Sequence, residues 1–277
     1  MLGNRCELLR ETRLAPNRQP IAMPQDDAAN DGGVSEGDPL ARSLVASIRG
    51  GELESLKRLL REHPALASAR IVDAKGESRT PLHVVTDWPG FFPRGPEVVA
   101  ALIDAGGDPN VPVQGMWHAE TPLHWAASSD DVEVARALID GGANIEAPGA
   151  SIAGGSPLDD AIGYGCWQVA RLLVERGARV DRLWHAAALG MIPRVEELLA
   201  ATSPNQQELT DAFWQACHGG QRRTAEYLLG LGAELNGTPS WGDDTPLDVA
   251  ESVDTGRQAL VSWLRAAGAT NSPKAAT

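Results

Sequence analysis

The side chains best suited to chemistry in this chain are His185, Cys217 and His218, which could be imagined as metal ligands. Two carboxylate pairs, Asp159–Asp160 and Asp243–Asp244, could share acid and base work. Spacing argues against both uses. Cys217 and His218 are adjacent and cannot easily turn onto one ion, and the three cysteines include no C-x-x-C pair that would make a zinc site or a disulfide framework. Neighbouring carboxylates at a helix start are explained by the helix dipole and lack the facing geometry of an acid/base pair. There is no G-x-S-x-G elbow, H-E-x-x-H or Walker loop, and Gly230-Leu-Gly232 is only a fragment of a dinucleotide fingerprint. The sequence therefore predicts no catalytic residue, no metal site and no cofactor.

The chemistry that remains is recognition. Aromatic residues make up 5% of the chain, and eight of them are tryptophan. Two clusters stand out: Asp87-Trp-Pro-Gly-Phe-Phe-Pro-Arg-Gly-Pro96, and Met116-Trp117-His118 within Val111–Glu120. Three prolines and two glycines in the first exclude a helix, so Trp88, Phe91 and Phe92 belong to a loop. Either these aromatics fold back to cap a groove below a neighbouring element, or they form a rigid contact loop.

The elements that must position them follow a repeating pattern. In Thr121-Pro-Leu-His-Trp-Ala-Ala127, Thr121 is a helix N-cap and Pro122 occupies the first helical position, where a missing N–H costs nothing. Val132, Val134, Ala135, Leu138 and Ile139 give a second amphipathic helix, closed by Gly142 in the left-handed conformation. The unit recurs as Thr80-Pro-Leu-His83, Ser156-Pro-Leu-Asp159 and Thr245-Pro-Leu-Asp248, with weaker copies starting at Leu44, Leu183 and Phe213. The anchors Leu44, Leu82, Leu123, Leu158, Leu183, Phe213 and Leu247 lie 38, 41, 35, 25, 30 and 34 residues apart, a mean of about 34. A helix pair of this size cannot bury its own apolar face, so the copies must stack.

At these residues the sequence resembles the ankyrin-repeat family, over roughly Asp38 to Ala269. The resemblance implies an all-α solenoid of about seven stacked helix pairs with short or irregular hairpin fingers, the outer pairs acting as caps. It also implies a concave face lined by fingers and inner helices. Arg79, Glu120, Asp87, Trp88, Ser128, Ser129, Tyr164, Leu189 and His218 fall on that face, joined by Phe91, Phe92, Trp117 and His118 as the partner-binding set. His83 and His124, at the fourth position of the motif, are expected to hydrogen-bond locally and between repeats. Asp159 and Asp248 replace that histidine in two units and Trp184 and Trp214 in two others, which suggests aromatic packing in place of the inter-repeat bond at the tryptophans. Trp125, Trp167 and Trp263 sit at helix-packing positions. Cys217 aligns with Ala127 and should point into the core. The short spacing between Leu158 and Leu183 leaves almost no room for a finger, so the stack should be irregular there.

Residues 1–37 read as a disordered tail, with Met23 as the expected natural start, 38–270 as the repeat domain and 271–277 as a second tail. A net charge of −13 and a pI near 4.9 argue against nucleic acid and anionic lipid as partners. No apolar run approaches a membrane span. The expectation is a cytoplasmic, monomeric, non-catalytic scaffold for a protein partner. The alternative is an enzyme or small-molecule sensor with a pocket near Trp88, Trp117, His118 and Trp125.

Overall fold

The computed structural model describes residues 33–252 and 257–273, so the expected start at Met23 and most of both expected tails lie outside the described residues. The chain divides into two compact units with the boundary after Ala178, within the shortest of the repeat spacings.

The first unit holds four helix pairs: α1 (Pro39–Gly50) with α2 (Leu53–Glu62), α3 (Pro81–Thr86) with α4 (Gly95–Asp104), α5 (Pro122–Ser129) with α6 (Val132–Asp140), and α7 (Pro157–Gly163) with α8 (Trp167–Glu175). The first helix of each pair packs on the first helix of the next, and the second on the second, giving two layers. Leu44, Ile48, Leu56, Leu82, Leu102, Leu123, Leu138, Leu158 and Ile162 lie between them, all fully buried. The second unit holds three pairs: α9 (Leu183–Ala188) with α10 (Ile192–Ala201), α11 (Gln206–His218) with α12 (Arg222–Gly230), and α13 (Pro246–Glu251) with α14 (Gln258–Ala266). Phe213, Ala186, Ala187 and Cys217 form its buried centre.

Local chemistry accounts for the helix ends. After α6, Gly142 has φ 93°, its N–H reaches the Ile139 carbonyl at 3.0 Å, and the Ala143 N–H reaches Leu138 at 2.9 Å. This paired closure satisfies two orphan carbonyls and requires a residue at ease with positive φ. Asparagine then ties one repeat to the next. The Asn110 side chain accepts from Asn144 N–H and donates to the Gly142 carbonyl, and Asn236 does the same with Thr270 and Gly268 in the second unit.

Several expectations are corrected. Val34–Ser35, placed by sequence in the tail, form strand β1, parallel to β2 (Ile71–Val72), which pairs antiparallel with β3 (Ser78–Arg79). The finger hairpin offers an open backbone edge, and Val34 N–H and Glu36 N–H donate to the Arg70 and Val72 carbonyls. Helix α4 begins at Gly95 and so takes in Pro96, because proline is tolerated in a first turn. The copy read from sequence as starting at Phe213 begins earlier, because α11 starts at Gln206 under an Asn205–Glu208 capping box. Asn271 and Ser272, assigned to the C-terminal tail, donate to the carboxylate of Asp248.

Candidate functional site

The loop between α3 and α4 is tied on both sides. On one side Arg49 of α1 pairs with Asp87 at 2.8 Å and lies 5.9 Å from the centre of the Phe92 ring. On the other, the Phe91 N–H donates to Asp131 Oδ2 at 2.7 Å, while Asp131 Oδ1 caps α6 through Val134 N–H. Asp131 is buried, so this anchor sits in low dielectric, where a charge-assisted hydrogen bond is strongest. The outcome differs along the loop. Trp88 and Phe92 are half-buried, while Phe91 is 65% exposed with its backbone held at φ 55°. A left-handed backbone at a bulky residue costs energy and persists only where the surroundings impose it.

The finger ahead of α5 presents a second aromatic. Trp117 is 73% exposed and stands edge-on to the His118 ring, with centroids 4.6 Å apart. His118 Nδ1 faces Glu120 Oε2 at 3.2 Å. Glu120 was expected to face a partner, but it is buried and its Oε1 accepts from Ser151 N–H at 2.9 Å. Asp160 of α7 completes the cluster. Its Oδ1 accepts from Ser151 Oγ at 3.0 Å and Ile152 N–H at 3.1 Å, and Ser151 Oγ also meets the Tyr164 hydroxyl at 2.9 Å. Burial and the neighbouring Glu120 carboxyl hold Asp160 well above the usual carboxylate range.

The remaining expected site residues are less available. Ser128 and Ser129 are half-buried and donate to the Trp125 carbonyl at 3.0 and 2.8 Å. Arg79 is half-buried on β3. Trp125 is buried edge-on to His83 at 4.9 Å, so it serves the core rather than a pocket wall. A cavity of about 530 Å³ in this unit is lined by Val34, Leu40, His63, Ala65, Leu66, Ser68, Ala69 and Arg70. None of the aromatic site residues borders it.

In the second unit Leu189 is half-buried at the end of α9. His218 was expected on the exposed face, but it is 7% exposed and its ring lies 5.3 Å from that of Trp214. Burial, aided by the charge of Arg257, brings the His218 pKa down to about 3.

The motif histidine works through both ring nitrogens. His83 Nδ1 lies 3.2 Å from the Thr80 backbone N–H donor and 2.8 Å from its hydroxyl, which assigns the ring proton to Nε2, 3.1 Å from the Glu120 carbonyl. Burial lowers its pKa to about 3, keeping it neutral. His124 repeats the local half with Thr121 at 3.0 and 2.9 Å. At Trp214, one of the two tryptophan-bearing copies, the sequence expectation is only partly met. Trp214 does pack edge-on to Trp241, but its Nε1–H also donates to the Asp244 carbonyl at 2.9 Å. Asp244 precedes Thr245 as Glu120 precedes Thr121, so the inter-repeat bond is retained with a different donor.

Sequence reasoning missed Asp131 and Ser151, and it set Asp160 aside as half of a carboxylate pair at a helix start. Asp131 stands directly before an apolar-periodic helix, an N-cap signal that was available. Asp160 gave no such signal, because its partner Glu120 lies on another repeat.

The family model for ankyrin repeats, in three copies, matches residues 91–182. Among solved structures, the chain is similar to the ankyrin repeat domain of Bcl-3, a unique member of the IkappaB protein family. The identity is 25%, over 83% of this chain and 99% of that one, with a TM-score of 0.47. No curated protein matches the chain.

Proposed function

We propose that this chain, whose residues 91–182 match the ankyrin-repeat family model, is an ankyrin-repeat protein and a non-catalytic scaffold that binds a protein partner through the loop and finger of its first unit, with Phe91 and Trp117 as the leading contacts. Ankyrin repeats generally mediate protein–protein interaction. The observation that carries the reading is Phe91: a large apolar side chain left 65% exposed on a backbone that a buried carboxylate fixes at positive φ. A fixed aromatic buries a large area on binding while losing little rotamer freedom, which is why such residues dominate interface energetics. Trp117 adds a second such side chain. Arg79, Asp87, Ser128, Ser129 and Tyr164 supply a half-buried polar surround. The Glu120–Asp160 pair is the arrangement nearest to acid/base chemistry, but both carboxyls are sealed from any substrate. The same reading takes the protein to be a cytoplasmic monomer, supported by the buried Cys217 thiol and the net charge of −13. No helix among the described residues is long and apolar enough to cross a membrane.

A photoreactive phenylalanine analogue at position 91 or 117 tests this reading in extracts of the native host. Both positions should trap the same protein. The analogue in place of Leu231, an exposed apolar residue of the second unit (47%), should not trap it. Trapping at 231 alone would move the interface off the first unit.

A further inference from the structure

The cluster beneath Trp117 joins two repeats. Glu120 belongs to the finger that leads into α5, while Ser151, Asp160 and Tyr164 belong to the fourth repeat. Each carboxyl is fixed by donors on one oxygen: Glu120 Oε1 by Ser151 N–H, and Asp160 Oδ1 by Ser151 Oγ and Ile152 N–H. Glu120 Oε2 faces His118. Asp160 Oδ2 is buried with no protein donor and lies within reach of Glu120. Two buried carboxylates in this geometry repel unless a proton lies between them.

We propose that Asp160 carries a proton which it donates to Glu120, and that this proton is a pH-operated clasp holding the Trp117 finger to the fourth repeat. With the proton in place, the pair bears a single negative charge opposite His118. Without it, two charges face each other in the core, and the finger loses its tie to the Ser151 N–H, while Asp160 loosens its hold on Ile152.

The other ionisable groups around the pair do not supply this proton. Burial lowers the pKa of His124 on α5, against the pull of Glu120's charge. Asp159 on α7 is engaged by the Ser156 N–H and hydroxyl at 2.8 and 3.0 Å. Tyr164 meets the cluster at the Ser151 hydroxyl, 2.9 Å away. On α8, packed against α7, Arg171 and Glu175 are exposed. That leaves His118, whose Nδ1 faces Glu120 Oε2 at 3.2 Å.

The linkage has a definite sign. The raised folded pKa means that, above the unfolded aspartate value of about 3.9, the native state binds one proton more than the unfolded state. Stability from this pair is therefore complete below that value and falls as pH rises, until the folded pKa is passed. Asp160→Asn keeps a donor toward Glu120 and removes the titration. Comparing urea unfolding of the full chain and this variant from pH 4.5 to 9, we expect the folding constant of the variant to gain on the native chain. The expected gain is about tenfold per pH unit until the pair ionises. The exchange protection of the Ser151 and Ile152 amides should fall in the native chain over the range where its proton is lost, and stay level in the variant. A pH-independent difference between the two proteins overturns the proposal, as does a slope that the variant retains, which would assign it to His118. Should the variant fail to fold, the infrared carbonyl band of a protonated carboxylic acid in the folded native chain at neutral pH decides, and its absence overturns the clasp. None of these readouts requires the partner, so their failure leaves the binding reading standing.

Discussion

Trp214 and His83 do the same work with different chemistry. Each sends a ring N–H to the carbonyl of the residue that precedes the next repeat's N-cap threonine, Asp244 or Glu120. Indole is donor-only, however, so Trp214 cannot also accept from its own repeat as His83 does from Thr80. In that repeat the local role passes to the Asn205–Glu208 box of a longer helix. Trp214→Phe should keep most of the packing and leave the Asp244 carbonyl without this donor. The expected loss is about 1–3 kcal/mol in urea unfolding; an unchanged midpoint would mean that solvent replaces the bond at no cost. At the same scale, Asp248 stands where histidine would be. Burial raises its pKa, but hydrogen bonds from Ser272, Thr245 and Asn271 outweigh this and bring it down to about 2. A depressed carboxylate contributes stability above its unfolded value of about 3.9 and loses it as pH falls toward about 2. Amide exchange at Thr245 and Ser272 should therefore quicken, after correction for intrinsic rates, on acidification through that window and stay level between pH 5 and 7. A flat response across both ranges would show that these bonds do not depend on ionisation.

Among the elements, the helix pairs were legible because their signals are local. Thr-Pro-Leu-His marks a start, apolar spacing marks a face, and Gly142 marks a stop with φ 93°. No neighbouring atom would crowd a side chain at Gly142, so the cost of Gly142→Val is conformational. It should destabilise by about 1–2 kcal/mol, read as a lower urea midpoint; a midpoint equal to the native chain's would place the helix end elsewhere. The contacts between elements were not legible. The Phe91 N–H finds Asp131 and Asp160 finds Glu120 across a whole repeat, and neither pairing leaves a mark in local spacing. Asp159–Asp160 illustrates this. As neighbours they suggest one shared role at a helix start, yet Asp159 turns to Ser156, and Asp160 to Ser151 and Ile152 beside Glu120 of the preceding finger. The loop at Asp87–Pro96 was legible as a loop from its prolines and glycines. Its division into two seated aromatics and one exposed one depends on Arg49 and Asp131, on either side of it.

At the scale of the molecule, the seven helix pairs among the described residues fall into units of four and three. The exposed aromatics Phe91 and Trp117 both belong to the first unit. The central claim is that these two side chains serve binding rather than folding, and the direct measurement sets partner capture beside the thermal midpoint in matched variants. Phe91→Ser with Trp117→Ser should weaken capture at least tenfold, about 1.4 kcal/mol, while leaving the midpoint nearly unchanged. Trp88→Ser with Phe92→Ser should lower the midpoint by several degrees, because those rings are half-buried. If the first variant melts early, or binds as the native chain does, the account of this surface is wrong.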